Sequence, residues 1–184
     1  QSELDEMLLR AKSAGFARTL LHCDSNRLNL IKDEQSWERI DRITVPLNNI
    51  EEAERYATWC RTEGRSPKVM PVIVLSLENL RNMERILDQL PMTDGGELAF
   101  SFPFPTSKEQ IARAPKTATA APLIRKALLA TRARGITASL KGFPPCLIGE
   151  GAPPPRKTRN RWYVDADHQC GQALMFFPDV VTFH

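Results

Sequence analysis

Leu4, Met7, Leu8 and Ala11 recur at three- and four-residue intervals, the period of a helix with one buried face, and predict a helix over 2–14. Ser2 stands where an N-cap is wanted, Asp5 and Glu6 suit the positive end, and Gly15 suits a left-handed C-cap. The spacing then changes. Thr19-Leu20-Leu21-His22-Cys23 is a short apolar run ending in Asp24-Ser25-Asn26, a strand followed by a loop. A polar helix over 32–40 leads into a strand at Arg42-Ile43-Thr44-Val45-Pro46-Leu47. Ile50, Ala53, Ala57 and Cys60 form a helical stripe that Gly64 stops, and Lys68 to Leu75 is the clearest strand. Leu80, Met83, Leu87 and Leu90 line the next helix, Leu98 to Phe102 make a fourth strand, and a Pro/Thr/Ala-rich loop follows. A helix over 121–134 ends at Gly135, and Ile136 to Leu140 give a fifth strand.

Strand and helix thus alternate along the first four-fifths of the chain, the signature of βαβ units and a parallel sheet with right-handed crossovers. Beyond this the prolines of Phe143-Pro144-Pro145-Cys146 and Pro153-Pro154-Pro155 exclude helix and impose a stiff, extended connection. Two short strands, 162–165 and 179–184, are expected around a turn at Gly171. Five βα units are too few for a closed eight-stranded barrel of about 250 residues. The expected fold is therefore α/β: an open parallel sheet or partial (β/α) barrel of about five units over 1–149. A proline-rich, basic linker and a small C-terminal β extension occupy 150–184.

The 184 residues, 42% hydrophobic and 26% charged, fit one globular domain and exclude wholesale disorder. No apolar run reaches the roughly 18 residues of a membrane span, and the opening Gln1-Ser2-Glu3-Leu4-Asp5 does not read as a signal peptide. The absence of an initiator Met points to trimming, a cloning scar or a fragment. Cys23, Cys60, Cys146 and Cys170 show no CxxC spacing, so reduced thiols and a cytoplasmic location are expected. Charge is uneven. Residues 1–92 carry 13 Lys/Arg against 15 Asp/Glu, and residues 93–184 carry 12 against 7, so the distal half is mildly basic.

Several local patterns, in order, resemble the middle and distal barrel of radical S-adenosylmethionine enzymes. Leu4-Asp5-Glu6-Met7-Leu8-Leu9-Arg10-Ala11-Lys12-Ser13-Ala14-Gly15-Phe16 is similar to the helix after the family's glycine-rich second strand. Leu20-Leu21-His22-Cys23-Asp24-Ser25-Asn26 and Ile43-Thr44-Val45-Pro46-Leu47 resemble the next two strands. Val72-Ile73-Val74-Leu75-Ser76-Leu77-Glu78-Asn79-Leu80 resembles the strand-to-Asn-Leu junction after them, and Gly142-Phe143-Pro144-Pro145-Cys146-Leu147 the segment with which some members leave the barrel. The resemblance implies a barrel fold and, through relatives that act on ribosomally made peptides, a peptide partner.

The departures concern chemistry. The family's three cluster-binding thiolates stand in CxxxCxxC, and no two cysteines here lie within 20 residues of each other. The glycine-rich cofactor motif is also absent, since Gly95-Gly96-Glu97 precedes a strand four units too late and reads as a turn. No cofactor is therefore expected for this chain alone. The alternative is a distal piece or subunit of an enzyme whose S-adenosylmethionine and [4Fe–4S] cluster lie upstream or on a partner.

Candidate site residues follow from position. Asn26, Asn48, Asn49, Asn79 and Ser101 collect at or just past strand ends, where they can hydrogen-bond a peptide backbone or serve ordinary turns. Arg156, Lys157, Arg159 and Arg161 beside Trp162 form the strongest basic cluster, suited to an acidic segment or, as a lesser expectation, to nucleic acid. Cys146, His168 and Cys170 offer three soft metal ligands, at a spacing that matches no standard finger; packing is the plainer account. By the resemblance Cys146 is the position that sometimes binds an auxiliary cluster. Asp165, Asp167 and His168 suit acid–base work, a cation or a solvated strand end. His22 and Cys23 are strand neighbours, so their side chains point to opposite faces and make a poor dyad. The expected function is thus a non-catalytic, radical-SAM-like barrel that binds a peptide or protein partner, with a role in peptide modification.

Overall fold

The computed structural model describes residues 3–31, 34–63, 68–92, 96–102, 114–142, 163–165, 174–177 and 180–183. In chain order the elements are α1 (Glu3–Ser13), β1 (Leu20–His22), α2 (Glu34–Arg39), β2 (Arg42–Leu47), α3 (Ile50–Glu63) and β3 (Val69–Val74). They continue with α4 (Leu77–Arg81), α5 (Met83–Gln89), β4 (Glu97–Ser101), α6 (Thr117–Ala133), β5 (Thr137–Lys141), β6 (Tyr163–Asp165), β7 (Leu174–Phe177) and β8 (Val180–Phe183). Strands β1 to β6 form one sheet in consecutive order, every pair parallel, so the α/β fold with an open parallel sheet is as expected.

Alternation along each strand sorts side chains onto two faces. Ile43, Val45 and Leu47 of β2, Val69 and Ile73 of β3, Leu98 and Phe100 of β4, and Ala138 and Leu140 of β5 share one buried cluster. The same cluster holds Leu8 of α1, Ala53, Tyr56 and Trp59 of α3, Ile86 of α5, and Ile124 and Leu128 of α6. The helices therefore cover one face, which follows from consecutive strand order combined with right-handed crossovers. Trp59 stacks on both Trp37 and Tyr56 with ring centroids 6.3 Å apart, filling the corner between α2 and α3. Truncating a fully buried member such as Phe100 would cost about 3–5 kcal/mol.

Two prolines sit inside β2 and β3, where a ladder donor would normally be lost. The pairing explains both. Ile43 N–H donates to Lys68 O at 2.8 Å, so odd residues of β2 face β3 and the Pro46 nitrogen faces the β1 side. There the three-residue β1 ladder has already ended at Thr44. Leu75 N–H donates to Ser101 O at 2.9 Å, so the Pro71 nitrogen faces β4, one residue before that ladder begins at Val72. Each proline thus stands outside the paired stretch on the side its nitrogen faces.

Other details differ from the sequence pattern. The helix expected from 121 starts at Thr117, with Ala120 and Ala121 buried and Pro122 exposed inside it. The helix expected around 80–90 is two helices broken at Asn82, whose side chain donates to Glu78 O at 3.1 Å. The strand expected over 162–165 in the small C-terminal β extension spans Tyr163–Asp165 and joins the main sheet beside β5, while β7 and β8 pair antiparallel. The Ser2 cap and Gly64 lie outside the described residues.

Candidate functional site

The sheet face away from the helices carries Leu20, His22, Thr44, Pro46, Met70, Val72, Val74, Glu97, Ala99, Ser101, Thr137, Ser139 and Lys141, the alternate positions of five strands. Among the described residues no helix packs on it. Its centre is apolar: Met70, Val72 and Ala99 form a second, separate buried cluster. Register runs one row across it, Pro46–Val72–Ala99–Ser139, and a second row, Val74–Ser101–Lys141, nearer the carboxyl ends.

Parallel α/β folds place ligands at the strands' carboxyl ends. At that end of β1, exposed His22 has its Nδ1 2.9 Å from Thr44 Oγ1, while the Thr44 hydroxyl lies 3.4 Å from Leu21 O. With that hydroxyl donating to Leu21 O, Nδ1–H donates to Thr44, and Nε2 is left as the acceptor directed away from the pair. At β4 and β5, Phe102 N–H donates to Lys141 O at 2.9 Å, and Gly142 takes a φ of +70° where a Cβ would stand 3.1 Å from Phe102 O. Glycine is required there on both counts.

The ring of amides expected at this end is used differently at each position. Asn49 caps α3, its Oδ1 accepting Glu52 N–H at 2.9 Å, and Glu52 in turn accepts from both the backbone N–H and the side-chain amide of Asn48, at 2.8 and 2.9 Å. This is a capping-box arrangement shifted by one residue. Asn79 is fully buried; its Nδ2 donates to Leu47 O at 2.9 Å and Val74 O at 2.7 Å, tying the ends of β2 and β3 to α4. Ser76 Oγ accepts Asn79 N–H at 3.1 Å and caps α4. Ser101 is half-buried on the helix-free face. Asn26 is exposed on the helix side, in a groove of about 500 Å³ with Asn29, Glu51 and Arg55.

Cys23 packs against the helix-side core, opposite to His22, as strand alternation requires. Burial first, and then the Asp24 carboxylate, push its thiol up to about 11, so it is protonated near neutrality. Cys60 is buried within α3. A buried helix thiol and a proton-bearing strand thiol do not fit the thiolate set an iron–sulfur cluster needs. Cys146, His168, Cys170, Arg156, Lys157, Arg159, Arg161 and Trp162 lie outside the described residues.

A feature absent from the sequence reading lies at the amino ends of the strands. A cleft of about 680 Å³ is lined by Arg18, Leu20, Arg42, Met70, Glu97 and Ser139. Arg42 and Glu97 form an ion pair at 2.7 Å that reaches over β3, with Arg42 Nη1 3.6 Å from Met70 Sδ. At its rim the Asp41 carboxylate accepts from Thr19 N–H at 2.7 Å and Thr19 Oγ1–H at 3.0 Å, donors that hold its pKa below the usual carboxylate value. The signal was present as polar residues at positions 42, 97, 137 and 139, one phase of the strand alternation.

No protein-family profile, curated protein or solved structure matches the chain. Among the described residues, no helix is long and apolar enough to cross a membrane.

Proposed function

We propose that this chain is a non-catalytic, radical-SAM-like partial barrel that binds an extended peptide or a peptide segment of a protein, in the context of peptide modification. The supporting observation is the helix-free face of a six-stranded, consecutively ordered parallel sheet. Parallel sheets are ordinarily covered on both faces; on this face, where no described helix packs, Met70, Val72 and Ala99 form a buried apolar strip, 6%, 9% and 0% exposed, bordered by polar side chains. An apolar strip with a polar border suits a peptide, whose side chains alternate and whose backbone needs partners. Peptide recognition also needs none of the thiolate chemistry that Cys23 and Cys60 are poorly placed to supply.

The test has two arms on one preparation. Iron and acid-labile sulfide are counted after anaerobic reconstitution, with S-adenosylmethionine binding followed by calorimetry, and a panel of labelled peptides is titrated by fluorescence anisotropy. Saturable peptide binding without iron or cofactor supports the reading. About four irons per chain with cofactor affinity would overturn it in favour of an enzyme subunit.

A further inference from the structure

We propose that the exposed edge of β1 is a docking site for an extended acidic segment, which adds to the sheet as a further strand; this rests on the peptide-binding reading and names where the peptide is held. The backbone comes first. Cys23 N–H donates to Thr44 O at 3.0 Å, and Arg42 N–H donates to Thr19 O at 3.3 Å. Odd residues of this segment therefore face β2, and the N–H and C=O groups of Leu20 and His22 face outward. Among the described residues no strand lies beyond β1 in the sheet. An edge of this kind is a template for strand addition.

Apolar residues are exposed along the segment that leads into this edge. Six large hydrophobic residues are exposed among the described residues, and three of them, Met7, Phe16 and Leu20, belong to α1, the turn after it and β1. Leu20 is the most exposed, at 65%. It stands on the helix-free face, so an added strand finds apolar surface for one of its side-chain phases.

Charge selects the occupant. Residues 10–27, which build the edge, include Arg10, Lys12, Arg18 and Arg27 against Asp24 alone. Arg10 is paired with Glu6 at 2.5 Å, and the nearby Asp41 carboxylate, hydrogen-bonded by Thr19, keeps its negative charge and draws on Lys12. Lys12, Arg18 and Arg27 against Asp24 and Asp41 leave the edge with one positive charge in excess, and Arg18 shares the amino-end cleft with Leu20, within reach of a strand laid against it. A segment alternating acidic and apolar residues satisfies backbone, apolar surface and charge together.

The experiment uses the full chain and three short labelled peptides: one alternating glutamate and valine, the same with lysine for glutamate, and the glutamate peptide with alternate amides N-methylated. The glutamate peptide is expected to bind about tenfold or more tightly than the other two, about 1.4 kcal/mol. Leu20→Pro removes an outward N–H and no ladder bond, and is expected to weaken the glutamate peptide by about tenfold. Arg18→Glu is expected to reverse the preference toward the lysine peptide. Circular dichroism checks that Leu20→Pro folds, and Arg18→Glu, at an exposed position, carries the test where it does not. Binding of the glutamate peptide that neither variant changes overturns the edge while leaving the peptide-binding reading in place. No binding by any peptide, here or in the wider panel, overturns both. A dimer by analytical ultracentrifugation that Leu20→Pro dissociates assigns the edge to a second copy of the chain and overturns the acidic-peptide proposal.

Discussion

Replacing Asn79 with alanine tests the joint that holds the carboxyl ends of β2 and β3 in place. The side chain is fully buried, and its Nδ2 donates to Leu47 O at 2.9 Å and to Val74 O at 2.7 Å. Asn79→Ala leaves the buried Leu47 carbonyl without that donor, at about 1–3 kcal/mol, while Val74 O keeps Ser76 N–H at 2.9 Å. One term works in the other direction: Asn79 Oδ1 is itself buried with no hydrogen-bond partner among the described residues, and its removal relieves a penalty of the same kind. The net expectation is a loss of about 1–2 kcal/mol, or roughly 2–8 °C in Tm at about 2–4 °C per kcal/mol for a domain of this size. Urea unfolding followed by circular dichroism measures it. Asn79→Asp sharpens the test, because it keeps the shape and sets a carboxylate against two carbonyl oxygens. Burial and those oxygens disfavour the charge, so the folded-state pKa of the introduced acid is raised above the unfolded value of about 3.9. Its deficit relative to Asn79→Ala is therefore smallest below that value and grows as pH rises through it. A loss under about 0.5 kcal/mol for Asn79→Ala, or an Asp variant whose deficit shrinks with rising pH, would refute the bridging role.

Three further outcomes are expected. Arg39 is ion-paired with Asp5, whose side chain is 1% exposed, so Arg39→Met should cost about 2–4 kcal/mol in urea unfolding; adding Asp5→Leu should recover part of that loss, and strict additivity would show that the two side chains do not interact. Cys23, with its thiol pushed up to about 11 from 9.0, should carry about a hundredfold less thiolate near neutrality than an unshifted thiol. Peptide mapping after iodoacetamide treatment should find it slow to alkylate until the pH exceeds about 10, and rapid labelling at pH 7.5 would refute its burial. Asp41, held low first by Thr19 N–H and then by the Thr19 hydroxyl, contributes stability above its unfolded pKa that disappears as pH falls through the folded one. Carboxyl NMR should show Asp41 titrating below the usual range, with Thr19→Val moving it upward, and an unmoved titration would remove the hydroxyl from the account.

The sequence made the five-unit parallel sheet legible because its information is periodic. Ile43, Val45 and Leu47, or Leu98 and Phe100, announce their face by alternation alone. What it left open depends on tertiary placement. Asn48, Asn49 and Asn79 look alike at strand ends, yet two serve the cap of α3 and one reaches across to carbonyls of two strands. Nothing local distinguishes these uses, because the partner of Asn79 lies 32 residues away at Leu47. The partner strand of 163–165 was equally hidden, since three residues carry too little alternation to choose a neighbour. The Arg42–Glu97 pair joins residues 55 apart across an intervening strand, a relation that only the register reveals.

The helix-free face follows from topology before it follows from any side chain. Consecutive order with right-handed crossovers sends every connecting helix to the same side, so no connecting helix covers the opposite face, although Thr44, Met70, Ala99 and Ser139 on it are buried. A sheet left in that state needs residues there that tolerate water at the borders and avoid it at the centre. The strands meet this requirement in order. His22 and Thr44 lie toward one border, Thr137 and Lys141 toward the other, and Met70, Val72 and Ala99 lie between. An apolar centre of three small or flexible side chains is too little to hold a second domain, since stable interfaces bury about 1,200–2,000 Å². It is enough for two or three side chains of an extended segment. On the proposed reading, the outward-directed backbone of β1 is matched by a single extended segment rather than by a folded partner.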